Sequence, residues 1–518
     1  MTTDPTPIRA ILFDIGDTLV RAAAPGTPVD QLHVDPIGSA VAELRALATR
    51  YKVGAVTDTA TMSEADVRAA LGDSGLSEVL EVIVTSSDVG VAKPDPGGLV
   101  RALSLLGVSA EAAVFVGDAD VDQGAAEAAG VAFVRAGGDV SPGEAVRAFL
   151  AERDGAFAAA VALVGPLDEE ARSAALAHHD ILTKPRGSLG RLEEIGPWLA
   201  AVSGQAMPPR PHPAAVGVFG GDHGVVASGV TPWPQEVTGQ MVANMVTGGA
   251  AVNVLARQMG ASVTVVDVGV LTDLTAMLGD GFAPPATVDT PALVRANVAP
   301  GTADLSEGPA MTQAQARAAL DVGARVAADL VAGGAAALVT GEMGIGNTTP
   351  SAAIISALTG RPAAEITGRG TGIDDDTLAL KTDIIEGAVA RLDGSQDPMR
   401  VLSEVGGLEI AALAGFIVGG ASHRVPVVVD GVIADAALLM ATALCPEALA
   451  FVVAGHRSTE PGATAALAHL GLDPLVDLGL RLGEGSGAVL ALPILEAAAN
   501  VLAEMATFDG AGVTDKGA

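Results

Sequence analysis

GEMGIGNTTP, Gly341 to Pro350, decides how this chain is read. An apolar run, Ala335 to Val339, precedes it and a helical pattern, Ser351 to Leu358, follows, which predicts strand, glycine loop, helix. Thr348 or Thr349 can cap that helix, and Pro350 suits its first turn, where a missing N–H costs nothing. The free N–H groups of such a helix start, with its dipole, make an anion site. Glu342 would be repelled by that anion unless it served another part of the same ligand. The stretch points to a phosphorylated substrate with its chemistry close to the phosphate.

The surrounding chain repeats the strand-and-helix alternation. Ala214 to Phe219 runs into Gly221-Asp222-His223, Ser262 to Val266 into Asp267, Val425 to Val429 into Asp430, and Ala448 to Val453 into His456. Polar groups just past the carboxyl ends of parallel strands are where open α/β sheets bind ligands, so one shared cleft is expected. Two more glycine-rich segments belong with the first. One is Gly368-Arg369-Gly370-Thr371-Gly372, followed by Asp374 as a helix cap and Lys381 two turns on; the other is Leu478 to Gly487, holding Arg481 and Glu484. Three such loops, two carboxylates and two cations imply an anionic sugar ligand.

Nearer the start lies a separate set of strands: Ile8 to Phe13 ending in Asp14, Val53 to Val56, Val82 to Val84, and Ala113 to Val116. A polar helix over Gly143 to Arg153 closes this unit, which places a boundary near residue 154 and domains at 5–150 and 155–518. At 518 residues, with 49% apolar side chains and only 3% aromatics, both cores are expected to be built from Ala, Val and Leu. No apolar run approaches the ~20 residues of a membrane span, and MTTDPTPIRA lacks the pattern of a secretory leader, so a cytoplasmic location is expected. Cys445 is the single cysteine, which excludes internal disulfides and cysteine-cluster metal sites. The net charge of -32 is shared by both parts: residues 1–150 hold 21 acids against 10 bases, the rest 40 against 19. Neither part suits nucleic acid.

From LTKPRGSLGRLEE (Leu182–Glu194) onward the chain closely resembles nicotinate-nucleotide:dimethylbenzimidazole phosphoribosyltransferases. The resemblance runs through GDHGVVASGV (Gly221–Val230), PQEVTGQMVANMVTGGAAVNVLAR (Pro234–Arg257), GEMGIGNTT, GRGTGIDDDTLALK (Gly368–Lys381), VPVVVDG (Val425–Gly431), HRSTEPG (His456–Gly462) and LGLRLGEGSGA (Leu478–Ala488), covering residues 155–513 in order. It implies a homodimer with no cofactor. It also implies displacement at the anomeric carbon of nicotinate mononucleotide: a dimethylbenzimidazole nitrogen attacks, nicotinate leaves, and the β-linkage becomes α. Glu484 matches the family's general base, and a second carboxylate, Glu342, would stabilise an oxocarbenium-like transition state. The 5′-phosphate is expected on the backbone of Gly344, Ile345, Gly346 and Asn347, with Lys381, Ser458 and Arg481 as side-chain partners. Trp233, Gln240 and Met343 are expected around the base, and Asp222 and His223 as pocket-shaping residues. A binding module of the same fold without turnover, or a transferase for another base, fits the same motifs.

The first unit resembles haloacid-dehalogenase-like hydrolases, a Rossmann-like fold. Asp14-Ile15-Gly16-Asp17-Thr18 is similar to the nucleophile motif, Thr57 and Lys93 to the phosphate-holding residues, and Gly117-Asp118 with Asp120 and Asp122 to the metal motif. Asp14, the backbone of Gly16, Asp118 and Asp122 would hold Mg²⁺. Phosphatases of this kind carry a general acid two residues after the nucleophile; here that position is Gly16, and Asp17 comes one residue late. The 42 residues between Asp14 and Thr57 are too few for a full cap, so an open site is expected. Two readings stand: a phosphatase for the neighbouring domain's product, or a non-catalytic binding and assembly module.

Overall fold

The computed structural model describes residues 6–21, 34–59, 61–138, 140–279, 281–370 and 372–514. The chain divides into two compact units, Met1–Pro166 and Leu167–Ala518. The expected minimal cap falls largely on residues 22–33, and Thr371 on the second glycine loop; both lie outside the described residues.

The first unit has five parallel strands, β1 (Ala10–Phe13), β2 (Lys52–Thr57), β3 (Val82–Thr85), β4 (Ala113–Gly117) and β5 (Ala132–Arg135), in the order β3-β2-β1-β4-β5. Side chains alternate across a pleat, so β1 sends Ile11 and Phe13 to one core and Ala10 and Leu12 to another. Helices Ala40–Ala48, Pro142–Asp154 and Ala156–Leu163 close the first core, and Gly97–Leu106 and Asp120–Ala129 the second. Burying a side chain as completely as Ile11 or Phe13 contributes roughly 1.5–3 kcal/mol. The strand β5 was not expected from the sequence. It is a short edge strand at the end of the sheet, exposed or half-exposed at every position. The boundary also moves, from near residue 154 to 166/167, because Ala159, Ala162 and Leu163 complete the first unit's core.

The second unit has six parallel strands, β6 (Ala214–Gly221), β7 (Ser262–Gly269), β8 (Ala292–Arg295), β9 (Ala337–Met343), β10 (Val427–Val429) and β11 (Val452–Ala454), in the order β11-β10-β9-β6-β7-β8. Again the unexpected strand, β8, is an edge. At the other edge β11 is shorter than Ala448 to Val453, because Pro446–Phe451 form a 3₁₀ turn first. Helix Leu408–Ser422 is buried at all of its 15 positions. It lies so close to Gln313–Ala332 that a Cβ on Gly323 would sit 1.7 Å from Ala412 O, and one on Gly415 2.0 Å from Leu320 O.

Two local expectations change. Glu342 is not in the loop but near the end of β9, paired opposite Phe219 of β6. The helix begins at Thr348 with Asn347 as its N-cap, so neither threonine caps it; Pro350 does fall in the first turn. The stretch Ser486–Glu504 is also long and apolar enough to cross a membrane by composition, contrary to the sequence expectation. It folds as two helices, Ser486–Val489 and Leu492–Glu504, whose Leu495, Ala498 and Ala499 pack into the core with Ile195 and Leu199.

Candidate active sites

In the second unit the strand order turns back between β6 and β9, and the chain leaving both of them walls a cavity of about 380 Å³. That volume lies within the range of small-molecule sites. Met343 ends β9 and the loop Gly344 to Asn347 follows it, Asp430 follows β10, and His456 and Ser458 follow β11. Trp233, Val237 and Met241 arrive from the segment after β6.

Glu484 enters on the third glycine loop, with its backbone in the left-handed region at φ 65°. A side chain there costs about 1–2 kcal/mol, so the position is held by its surroundings. A Cβ on neighbouring Gly483 would lie 2.1 Å from Glu342 Oε1, so only glycine lets the two carboxylates' backbones approach. The Glu484 amide donates to Glu342 Oε1 at 3.3 Å, and the Val252 amide donates to Glu484 Oε2 at 3.3 Å. Asp430 braces the loop from below, accepting from the amides of Gly485 at 3.2 Å and Ala488 at 2.8 Å. His456 Nε2 lies 3.3 Å from Asp430 Oδ1. Burial raises the Glu484 carboxyl above the ordinary range, and the charge of Asp430 adds to this against the Val252 hydrogen bond. Glu342 is pushed up to about 8 by burial and by Asp430 and Glu409, while the side-chain amide of Asn347 donates to it.

The phosphate side is narrower than expected. Ile345 N–H donates to Thr238 Oγ1 at 3.1 Å and Asn347 N–H to Gly344 O at 3.1 Å, so those two amides are engaged inside the protein. The loop's remaining amides, at Gly344, Gly346 and Thr348, are the ones left to face an anion. Lys381 Nζ donates to Thr348 Oγ1 at 2.7 Å beside them. Burial pushes its pKa down to about 8, offset only by Glu460. Arg481 donates to Gly370 O at 2.8 Å, tying the second and third glycine loops together.

Of the residues expected here, Glu342, Met343, Gly344, Ile345, Gly346, Asn347, Lys381, Ser458, Arg481, Glu484 and Trp233 all line the cavity. Gln240 does not. It is exposed, because Val237 and Met241, one turn apart, face inward and Gln240 lies about 100° round the helix from Met241. Only three of the five strand ends share the cleft. Asp222 and His223, after β6, and Asp267, near the end of β7, are buried outside it. The side chain of Gln235 and the Leu271 amide donate to Asp222, and His223 Nε2 lies 2.9 Å from Glu409 Oε1, directly behind Gly344. Sequence reading missed the cavity roles of Val237, Met241 and Glu460, which carry no local signal beyond helix periodicity and one acid.

The first unit's cluster also sits where its sheet order turns back, between β1 and β4. Asp14 follows β1, and Asp118 follows β4. Asp122, in the first turn of Asp120–Ala129, joins them with carboxylate oxygens within 4.8 Å of one another. Lys93 Nζ bridges Asp14 at 2.6 Å and Asp122 at 2.5 Å. Burial raises Asp14 to about 6 despite Lys93. Thr57 ends β2 beside them, and Thr18 Oγ1 donates to Asp118 Oδ1 at 3.2 Å. Three carboxylates at this spacing suit a hard divalent cation. Asp120 stands apart, exposed and paired with Arg135. Asp17 is exposed at φ 56° and outside the cluster, while a Cβ at Gly16 would meet nothing within 4 Å.

Comparison with known proteins decides the family. The family model described as "Phosphoribosyltransferase" matches residues 164–513. The chain belongs to that family. A nicotinate-nucleotide–dimethylbenzimidazole phosphoribosyltransferase of Salinispora tropica is 56% identical over 360 residues, 68% of this chain and 98% of the relative. One from Chloroflexus aurantiacus is 52% identical over 354 residues, 68% of this chain and 97% of the relative. The crystal structure of the Thermus thermophilus enzyme of that name aligns with 44% identity and a TM-score of 0.62, over 67% of this chain and all of that one. A second family model, haloacid dehalogenase-like hydrolase, matches residues 28–136 and marks the first unit as a domain of that kind. Its match begins after Asp14.

Proposed function

We propose that the second unit transfers the 5-phosphoribosyl group of nicotinate mononucleotide to 5,6-dimethylbenzimidazole, giving α-ribazole 5′-phosphate and nicotinate. The single observation that carries this is the joint lining of one cavity by Glu342 and Glu484, with Lys381 and the amides of Gly344, Gly346 and Thr348 at its phosphate end. The phosphate anchors the donor on those amides and Lys381. The bond from the ribose to the pyridinium nitrogen breaks with its electron pair going to the ring, so nicotinate departs without an acid. Glu484 takes the N–H proton of the attacking base, a role served by its raised pKa, since a stronger base binds the proton better. Trp233, Met241 and Met343 offer apolar walls for the base. Homodimeric assembly and a cytoplasmic setting belong to the same proposal.

For the first unit the reading is a Mg²⁺-dependent phosphatase-like domain acting on α-ribazole phosphate, with Asp14 as nucleophile. Asp14, Asp118 and Asp122 would hold the ion, which supplies charge neutralisation on the phosphoryl oxygens. The competing reading, a non-catalytic module, is favoured by Gly16, which leaves no proton donor two residues after Asp14. Product analysis by liquid chromatography and mass detection separates them. Purified protein with nicotinate mononucleotide, dimethylbenzimidazole and Mg²⁺ should give α-ribazole phosphate. Further conversion to α-ribazole, abolished by Asp14→Asn, would establish the phosphatase. No coupled product with any base would end the transferase reading.

A further inference from the structure

Glu342 is a buried acid surrounded by other acids. Asp430 faces it from the end of β10 and Glu409 from helix Leu408–Ser422, while the adjoining loop offers it only the backbone amide of Glu484. The nearby basic groups are engaged elsewhere. His456 lies on Asp430 at 3.3 Å, His223 on Glu409 at 2.9 Å, Lys381 donates to Thr348, and Arg481 donates to the Gly370 carbonyl. Among the described residues Glu342 has no ionic partner; its bonds come from two neutral donors, the Asn347 side chain and the Glu484 amide. A buried carboxylate in that setting needs a cation that the protein does not supply.

We propose that a cationic ring on the donor supplies it: Glu342 releases its proton to solvent when an N-ribosyl pyridinium enters, so the cavity selects donors with a charged ring over neutral-ring analogues of the same shape. This rests on the transferase reading above. A pyridinium nitrogen bonded to ribose has no N–H and no lone pair, so charge is the property by which it is told from a neutral ring. The protons balance over a turnover. One leaves Glu342 as the cation binds. When the glycosidic electron pair returns to the ring, the ring's charge disappears, and closure of the new C–N bond removes the charge on the ribose. Glu342 then takes a proton back, and the one net proton released is that taken from the attacking base by Glu484. The elevated pKa of about 8 agrees with an uncharged Glu342 at pH 7 before the donor binds.

Calorimetric titration of the full chain at pH 7, in buffers of different ionisation heat, counts the protons. Nicotinate mononucleotide alone should release roughly nine-tenths of a proton per site, the fraction held at one pH unit below the pKa. Its 1,4-dihydro form keeps the ribose, phosphate and ring carboxylate but has an uncharged ring; it should release about a tenth or less and bind at least about tenfold more weakly. Protonation of Lys381 by the phosphate affects both ligands alike and cancels in the comparison. Glu342→Gln should bind the nucleotide without the release. Binding of the nucleotide with no excess release over the dihydro form overturns this inference alone, and wild type by itself decides that. Release undiminished in Glu342→Gln overturns the assignment to Glu342. Absence of nucleotide binding overturns the transferase reading and this inference together.

Discussion

Each unit carries a buried lysine and a buried acid at the point where its parallel sheet turns back, yet the two sites are charged in opposite ways. In the first unit Lys93 is clamped by Asp14 and Asp122 at 2.6 and 2.5 Å, and those charges raise its pKa although burial opposes them. In the second, Lys381 rests on a threonine hydroxyl and burial takes its pKa down to about 8. Glu342 meets only neutral donors and rises to about 8. The sheet decides where a ligand binds. Whether the lysine and the acids are paired separates the two proposals: a divalent ion and a phosphoryl group at the first site, and a ligand with an anion at one end and a cation at the other at the second.

The largest expected effect is on the second site. Glu484→Gln should lower the transferase rate about 10²–10⁴-fold, the usual contribution of a general base. The nucleotide KM should hold steady, and equal losses in affinity and rate would make Glu484 a packing residue. Gly16→Asp tests the first site from the other direction. A Cβ fits there without contact, so the substitution should fold and raise phosphatase turnover about 100-fold if a proton donor is what is missing. An unchanged rate would mean that the unit already has its acid, or turns nothing over.

Lys381→Met should cost roughly 10–100-fold in kcat/KM for the nucleotide, as expected for loss of a charge-assisted hydrogen bond. A pH series sharpens the contrast between the lysines. Lys381 is protonated below its pKa of about 8 and loses its charge above it, so kcat/KM of the wild type for the nucleotide should fall as pH rises past about 8. Lys93 is held charged by two carboxylates, so phosphate binding at the first site should stay flat over that interval. The smallest effects belong to the base wall. Trp233→Ala should weaken base binding only a few-fold, since half the ring is exposed, and exposed Gln240→Ala should leave the rate within about twofold. A large loss at Gln240 would show that its surface is covered when the enzyme works.

Much of this was legible in the sequence because it is local. Strand, glycine loop and helix around Glu342 follow from periodicity, and Asp374 caps its helix as expected, accepting from the Thr377 amide. Central strands announce themselves through apolar runs buried on both faces. The edges β5 and β8 are covered less fully: their apolar stretches are only partly buried and end in an exposed arginine. Gln240 shows the limit of resemblance read by position: one step along a helix turns a side chain from the cavity to its outer surface.

The sequence alone determined two α/β units, the glycine loops, and which acids stand at or just past strand ends. All of these rest on neighbours in the chain, where dihedral preference and side-chain period act directly. Only the tertiary structure decided that Asp430 and His456 share the cavity with Glu342 while Asp222, His223 and Asp267 do not, since strand order is set by packing across hundreds of residues. It also decided the charge states. A carboxyl's pKa depends on what burial removes and on which charges face it, and for Glu342 those are Asp430 and Glu409, 88 and 67 positions away in the chain.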